Sequence, residues 1–299
     1  MTLVTSDAYV IGACVLAQSL AETGTTRGVW CVAGSSGPGS ALSAPMVAVL
    51  RRVFGGRVVE VGAVDSGDAQ GLALLGRPEL GATLTKLQVW ALTRFRKIVF
   101  LDADTLVLRN IDELFAQGEL SAAPDAGWPD CFNSGVFVAE PSAATHRALL
   151  ARCVAEGSFD GADQGLLNAH FPTWTRLSFL YNVTVNAAYS YAPAYARHGH
   201  GAKVVHFVGR VKPWAWTRAP DGSLRAPGEA PPGVQALVAR WWAVRDRLER
   251  GCGGRGEGCL GVGGAEGAGG AGTGTGTSPY TSPYTSPHPC THPLAHSSS

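Results

Sequence analysis

The apolar segment Lys97-Ile98-Val99-Phe100-Leu101 runs directly into Asp102-Ala103-Asp104. β-Branched and aromatic residues in a short apolar run mark a strand with both faces covered. Two carboxylates one residue apart, where such a strand meets its loop, can converge on one hard divalent cation. Ala103 between them leaves room for a ligand. In open α/β sheets, ligands bind beyond the carboxyl ends of the strands. Its position makes this junction a candidate site at a strand end, and the rest of the chain decides the fold.

The rest of the first two-thirds alternates in the same way. Leu3 to Thr5 reads as a strand. Ala8 to Leu20 is helical and buries Ile11, Val15 and Leu16. Strand patterns at Gly28 to Val32 and Arg57 to Val61 flank a helix over Val47 to Phe54, and an amphipathic helix spans Thr83 to Phe95. Strand Gly135 to Ala139, helix Ala143 to Glu156 and a late strand Val204 to Phe207 follow. Such alternation implies a mostly parallel, mixed sheet covered on both faces. Arg218 to Pro232 has the composition of a linker, and Val234 to Arg250 reads as one helix whose Trp241 and Trp242 need a surface to cover. The glycine-rich end carries the degenerate repeat Thr277-Ser278-Pro279-Tyr280, Thr281-Ser282-Pro283-Tyr284; it cannot bury enough apolar area to offset its ordering entropy. The expected organisation is a catalytic domain over 1–218, a linker and docking helix over 219–250, and a disordered Gly/Ser/Pro-rich tail over 251–299.

Composition excludes several classes. Across 299 residues the net charge is +1, and no basic stripe supports nucleic-acid binding. No apolar run spans a bilayer. Seven cysteines lack metal-ligand spacing; Cys14, Cys31, Cys131 and Cys153 lie in apolar segments and read as small core residues. With no charged-then-apolar leader before Thr2, a reducing cytoplasmic compartment is expected. Asn182-Val183-Thr184 matches a glycosylation acceptor but reads as a chance tripeptide in that setting.

Polar residues cluster where packing does not call for them. His206 ends the Val204-Val205 strand and is followed by Phe207-Val208-Gly209-Arg210-Val211-Lys212-Pro213-Trp214. Taken alone, His206 is more readily a satisfied core histidine. Beside two carboxylates, a neutral imidazole is a good third metal ligand. Gly209 would let backbone amides approach a phosphate, and Lys212 would set a point charge against a diphosphate. A cation and a lysine at a diphosphate stabilise a nucleotide leaving group, which points to transfer from a nucleotide-sugar. Tyr9, just after the first strand, can stack on a base or simply pack at the helix start. Asp160 and Asp163 also suit helix capping near Gly161, and Asn133 suits a turn before Gly135.

Longer runs carry a family resemblance. Val64-Asp65-Ser66-Gly67-Asp68, Arg77-Pro78-Glu79-Leu80-Gly81, Thr83-Leu84-Thr85-Lys86-Leu87 and Phe100 to Leu108 resemble the glycogenin family, the self-glucosylating primers of glycogen synthesis. So do Ser121 to Asp125, Gly127-Trp128-Pro129-Asp130-Cys131-Phe132-Asn133-Ser134-Gly135, Gly157 to Gly161, Asp163-Gln164-Gly165, Tyr189-Ser190-Tyr191 and His206 to Trp214. The resemblance covers about Leu3 to Trp214, with a looser echo around Trp241-Trp242. It implies a GT-A type, Rossmann-like glycosyltransferase of family 8 that retains anomeric configuration. It further implies that Asp102, Asp104 and His206 bind Mn²⁺, with Mg²⁺ as a substitute, bridging the diphosphate of UDP-glucose. Leu3, Thr5, Ser6 and Tyr9 would face uridine. Arg77 and Lys86 would stand by the donor, with Lys86 within reach of phosphate and sugar, and Ala103, Gly209 and Lys212 would line the diphosphate. Asp125, Asn133, Ser134, Asp160, Asp163 and Gln164 would surround glucose, with Asp163, Lys86 and Lys212 the catalytic set.

The acceptor implied is Tyr189, in Ala187-Ala188-Tyr189-Ser190-Tyr191-Ala192-Pro193; local sequence alone does not separate it from Tyr191 and Tyr195. A phenol, with a pKa of about 10, needs help to attack at neutral pH. The implied sequence is glucosylation of that tyrosine, then α-1,4 extension to a short glucan, in a homodimer. Ser6 stands where the family commonly has asparagine, and the segment between Trp174 and Tyr181 is short. The tail does not resemble the peptide that recruits glycogen synthase, so that partnership is not implied. A related transferase acting on a separate acceptor and a non-catalytic scaffold are the competing readings.

Overall fold

The structure is a computed structural model that describes residues 1–34, 42–61, 81–209, 212–231 and 233–252, with the backbone alone at 81–84 and 252. Arg77, the Val64 to Asp68 run and the 253–299 tail lie outside these residues. The order of elements alternates as expected at the start. β1 (Thr2–Val4), α1 (Asp7–Glu22), β2 (Cys31–Gly34), α2 (Ala44–Val53) and β3 (Val58–Val61) form a parallel unit in the order β1-β2-β3. α1 begins where Ser6 is extended, with Asp7 in its first turn, a position that suits a carboxylate. Val10, Ala13, Cys14, Leu16, Ala17 and Leu20 recur at helical spacing and are buried, so a long apolar face holds the helix to the sheet. Ile11, expected to be buried, is half-exposed on the rim of that face.

The sheet then becomes more mixed than the alternation implies. α3 (Gly81–Ala91) leads to β4 (Ile98–Leu101), which meets β1 through the Leu101 amide donating to the Met1 carbonyl at 2.9 Å. On its other side β4 pairs antiparallel with β7 (Phe132–Ala139), which pairs antiparallel with β6 (Ser121–Pro124). The short β8 (Thr175–Arg176) closes this edge in parallel. β6 and β7 follow one another with only a loop between them, and a short loop joins antiparallel neighbours. A smaller sheet, β5-β10-β9, stands beside it. β10 (Val204–His206) is antiparallel to β5 (Thr105–Val107) and parallel to β9 (Val183–Thr184). Asp102, Ala103 and Asp104 form the turn from β4 to β5, the point where the two sheets diverge.

The core is aromatic beneath β4 and β7: Phe137 stacks on Phe100 at 4.8 Å and on Trp90 at 5.4 Å. α4 (Ala143–Ala155) and α5 (Asp163–His170) cover that face. Ser142 caps α4 by accepting from the Thr145 amide. Cys14, Cys31 and Cys153 are buried, and burial pushes the Cys14 thiol up to about 12. Cys131 is not a core residue: it lies in the loop before β7 and is half-exposed. The stretch read as a linker contains a small hairpin of β11 (Thr217–Arg218) and β12 (Leu224–Arg225). Among the described residues no helix is long and apolar enough to cross a membrane.

Among the described residues the last helix, α8 (Val234–Cys252), packs along α1. α6 (Ala187–Ser190) and α7 (Ala192–His198) precede it. Trp241 is wholly buried against Trp214, with ring centroids 5.9 Å apart, and the Trp242 indole donates to the Pro213 carbonyl at 3.0 Å. Arg247 pairs with Glu22 of α1 at 2.7 Å. This helix thereby fixes the turn that carries Lys212. Gly12 of α1 lets Trp214 and the Ala103 carbonyl come close, since a Cβ there would fall 2.6 Å from that oxygen. Trp241→Ala is expected to lower unfolding free energy by about 3–5 kcal/mol, read as a fall in the urea midpoint. Trp241→Phe should cost less, because the Trp241 Nε1 is buried without a partner among the described residues and its removal costs no hydrogen bond.

Candidate functional site

The register of the small sheet sets the site. His206, at the end of β10, lies opposite Thr105 of β5 and Thr184 of β9. The Phe207 amide donates to the Asp104 carbonyl at 2.9 Å, and the Asp102 amide donates to the Gly135 carbonyl at 2.8 Å. These two bonds stitch the acidic turn to both sheets. The imidazole then occupies space that only a glycine leaves open: a Cβ on Gly135 would lie 2.2 Å from His206 Cε1. Asp102, Asp104 and His206 each present a ligand atom, all within 4.8 Å of one another.

Each carboxylate is divided between two partners. Asp102 Oδ1 meets Lys86 Nζ at 2.9 Å, and its Oδ2 lies 3.9 Å from His206 Nε2. Asp104 Oδ2 meets Lys212 Nζ at 2.6 Å, and its Oδ1 lies 3.2 Å from His206 Nε2. Two carboxylate oxygens and one imidazole nitrogen thus converge, a donor set suited to a borderline or hard divalent cation. Lys86 is 4% exposed and uses all three of its donors, on Asp102, Asp163 (2.6 Å) and the Ser134 carbonyl (3.1 Å). Burial alone would push the Lys86 pKa down, but Asp102 and Asp163 outweigh it and hold the ammonium charged. Burial pushes the Asp102 carboxyl up despite Lys86. At Asp104 burial also acts upwards, yet His206 and Lys212 overrule it and hold the carboxyl well below its usual range. Asp163 is held low by Lys86 against the effect of burial.

A cavity of about 470 Å³ opens above this cluster. Its floor carries Asp102, Asp104, His206 and Lys212, with Gly209 (φ +97°) where the chain leaves β10. Its other wall carries Asp125, Asn133, Ser134, Asp160, Asp163 and Gln164. Asn133 is a buried residue of β7, not a turn residue; its Nδ2 donates to Asp125 Oδ2 at 2.9 Å, which also accepts from Gln164 Nε2 at 3.2 Å. Asp160 caps the start of α5, accepting from the amides of Ala162 (2.9 Å) and Gly165 (3.0 Å), while it also lines the cavity. Asp163 opens α5 and turns its carboxylate to Lys86.

Not every expected residue lies in that wall. Leu3 packs against the aromatic core, and Thr5 and Ser6 form the step from β1 to α1, with Thr5 beside Gly34. Tyr9 sits edge-on to Trp214 at 5.4 Å, with Lys212 Nζ 5.9 Å from its ring centroid, and burial raises its pKa. Tyr9 thus packs at the helix start, one of its two sequence readings, and borders the lysine. Tyr189, on α6, is 43% exposed and its hydroxyl donates to Asn186 Oδ1 at 3.0 Å. Asn186 lines the cavity, so the phenol is one hydrogen bond from its wall.

Three polar residues of the site are not read as site residues from the sequence: Thr184 and Asn186 line the cavity, and Asn182 stands behind His206, wholly buried. The burial of Asn182 also removes it as a glycosylation acceptor. A polar amide at the entrance to the apolar strand Val183–Thr184 was the available signal.

With this geometry established, similarities to known proteins follow it closely. Residues 73–217 match the family model of glycosyl transferase family 8. Human glycogenin-1 is 52% identical over 252 residues, covering 82% of this chain and 70% of that protein. Human glycogenin-2 is 49% identical over 253 residues, covering 82% of this chain and 49% of that protein. The chain therefore spans about half the length of one relative and more than two-thirds of the other. Among solved structures, the galactosyltransferase LgtC with donor and acceptor sugar analogues aligns with a TM-score of 0.55 at 16% identity, covering 82% of this chain and 95% of that one. The apo form of the Streptococcus pneumoniae glycosyltransferase GlyE aligns with a TM-score of 0.57 at 17% identity, covering 82% and 59%. These likenesses show the GT-A-like fold, while the sequence identities decide the family: the chain belongs to the glycogenins of glycosyl transferase family 8.

Proposed function

We propose that this protein transfers glucose from UDP-glucose to its own Tyr189, with retention, and then builds a short α-1,4 glucan that primes glycogen synthesis. The observation that carries this reading is the division of Asp102 and Asp104 between lysines and His206 beneath a polar cavity. Asp102 Oδ2, Asp104 Oδ1 and His206 Nε2 would hold Mn²⁺ or Mg²⁺. Such an ion, when bound, supplies positive charge to the diphosphate of the leaving nucleotide. Lys212 reaches the same place: its ammonium, now on Asp104 and the Phe207 carbonyl, can turn a donor to a phosphate oxygen. Tyr9 and the step from β1 to α1 would form the uridine side.

Glucose fits the opposite wall. Asp125, Asn133, Asp160 and Gln164 are carboxylates and amides that match sugar hydroxyls. Lys86 keeps Asp163 ionised beside this position, where a fixed negative charge favours the oxocarbenium-like transition state. In the transfer, the bond from the anomeric carbon to the phosphate oxygen breaks, the Tyr189 oxygen bonds to that carbon, and the phenol proton passes to the departing diphosphate of UDP. Asn186 orients the phenol from the cavity rim. The reading makes the acceptor the protein itself, in a cytoplasmic homodimer, and leaves the recruitment of glycogen synthase unassigned.

Intact mass spectrometry after incubation with UDP-glucose and Mn²⁺ tests the proposal: successive gains of one hexose are expected. Tyr189→Phe should abolish the first gain while UDP-glucose hydrolysis persists; continued labelling of that variant would favour another acceptor. The double variant Asp102→Asn, Asp104→Asn should lose Mn²⁺-dependent UDP binding in calorimetry. Unchanged binding would reject the metal role.

A further inference from the structure

His206 has a second ring nitrogen, and its surroundings determine more than the position of the ring. Its Nδ1 lies 3.0 Å from Asn182 Oδ1. Asn182 is wholly buried, and its other amide atom, Nδ2, lies 2.7 Å from Asn133 Oδ1. Which end of each amide points where is fixed from outside the chain of side chains. The Gly135 backbone N–H, which can only donate, reaches Asn133 Oδ1 at 3.0 Å. The ionised Asp125 carboxylate, which can only accept, faces Asn133 Nδ2 at 2.9 Å. Both anchors orient Asn133 the same way. Its oxygen then requires a donor from Asn182, so the Asn182 oxygen must face the imidazole. That oxygen in turn requires a proton on Nδ1.

We propose that Asn182 is a positioning residue that keeps His206 Nδ1 protonated, which leaves Nε2 as the nitrogen a cation between Asp102 and Asp104 would take. It also couples this ligand to the Asn133–Asp125 wall of the sugar position. The inference rests on the reading of Asp102, Asp104 and His206 as metal ligands and extends it to a residue outside that set. A ring nitrogen binds a metal best when its partner nitrogen is held by an oriented acceptor, and loss of such an acceptor typically costs about 10–100-fold in affinity. The backbone of Asn182 is itself fixed on both sides: its amide donates to the Phe179 carbonyl at 2.9 Å, and Val183 pairs with Val205 of β10. The amide therefore has little freedom to leave the imidazole.

Calorimetry of Mn²⁺ binding in the presence of UDP separates the two claims. Wild-type protein should take up Mn²⁺; failure to do so would overturn the metal reading and this inference with it. Asn182→Ala should bind Mn²⁺ about 10–100-fold more weakly, with metal-free UDP binding unchanged. Asn182→Asp, which restores an acceptor towards Nδ1, should bind Mn²⁺ more tightly than Asn182→Ala. Wild-type affinity in a folded Asn182→Ala protein, or equal losses in the two variants, would overturn the positioning role and leave the metal reading standing. Should Asn182→Ala not fold, NMR of ¹⁵N-histidine-labelled wild-type protein still decides. A His206 Nδ1-bound proton protected from exchange is expected, and its absence would overturn the proposal.

Discussion

The structure depends on balanced charge in a nearly dry place. Asp102, Asp104 and Asp163 stand together with Lys86, Lys212 and His206, and Lys86, Asp104 and His206 are buried. A buried charge without a partner costs several kcal/mol even after relaxation. Each carboxylate here has a lysine, and each lysine also donates to a backbone carbonyl, Ser134 for Lys86 and Phe207 for Lys212. Asp102 and Asp104 each keep one oxygen off the lysines, and both of these are turned to one imidazole nitrogen. The charge balance that lets the cluster stay buried is thus also what shapes its open coordination side.

The fold brings distant parts of the chain to this cluster through sheet register. β4 delivers the acidic turn, β7 places Asn133, Ser134 and Gly135 beside it, and β10 returns His206 across β5. Helices complete the set: α3 brings Lys86 and α5 brings Asp163. The C-terminal α8 acts at one remove, since Trp241 and Trp242 clamp the Pro213–Trp214 turn that follows Lys212. Packing energy far from the chemistry therefore bears on the position of a lysine at its centre.

Much of this was legible in the sequence where local chemistry and structure agree. The strand into Asp102-Ala103-Asp104 could be read because an apolar run ends abruptly in two acids. His206 and Lys212 could be read because they punctuate a strand and a glycine turn. α8 could be read from its paired tryptophans. The antiparallel β6–β7 hairpin and the short β5, β8 and β9 were not legible: two or three residues of strand carry too little periodicity, and their pairing is set by long-range register. Cys131 was misplaced because an apolar neighbourhood in sequence, beside Phe132, is exposed in space by the loop before β7. Asn182 was invisible as a site residue because its partners are an amide and an imidazole 49 and 24 positions away.

The central claim concerns the three atoms Asp102 Oδ2, Asp104 Oδ1 and His206 Nε2. Anomalous diffraction at the manganese edge, from crystals grown with UDP and Mn²⁺, tests it most directly. A single strong peak within bonding distance of all three is the predicted result; a peak elsewhere, or none in a crystal with ordered UDP, would contradict the account.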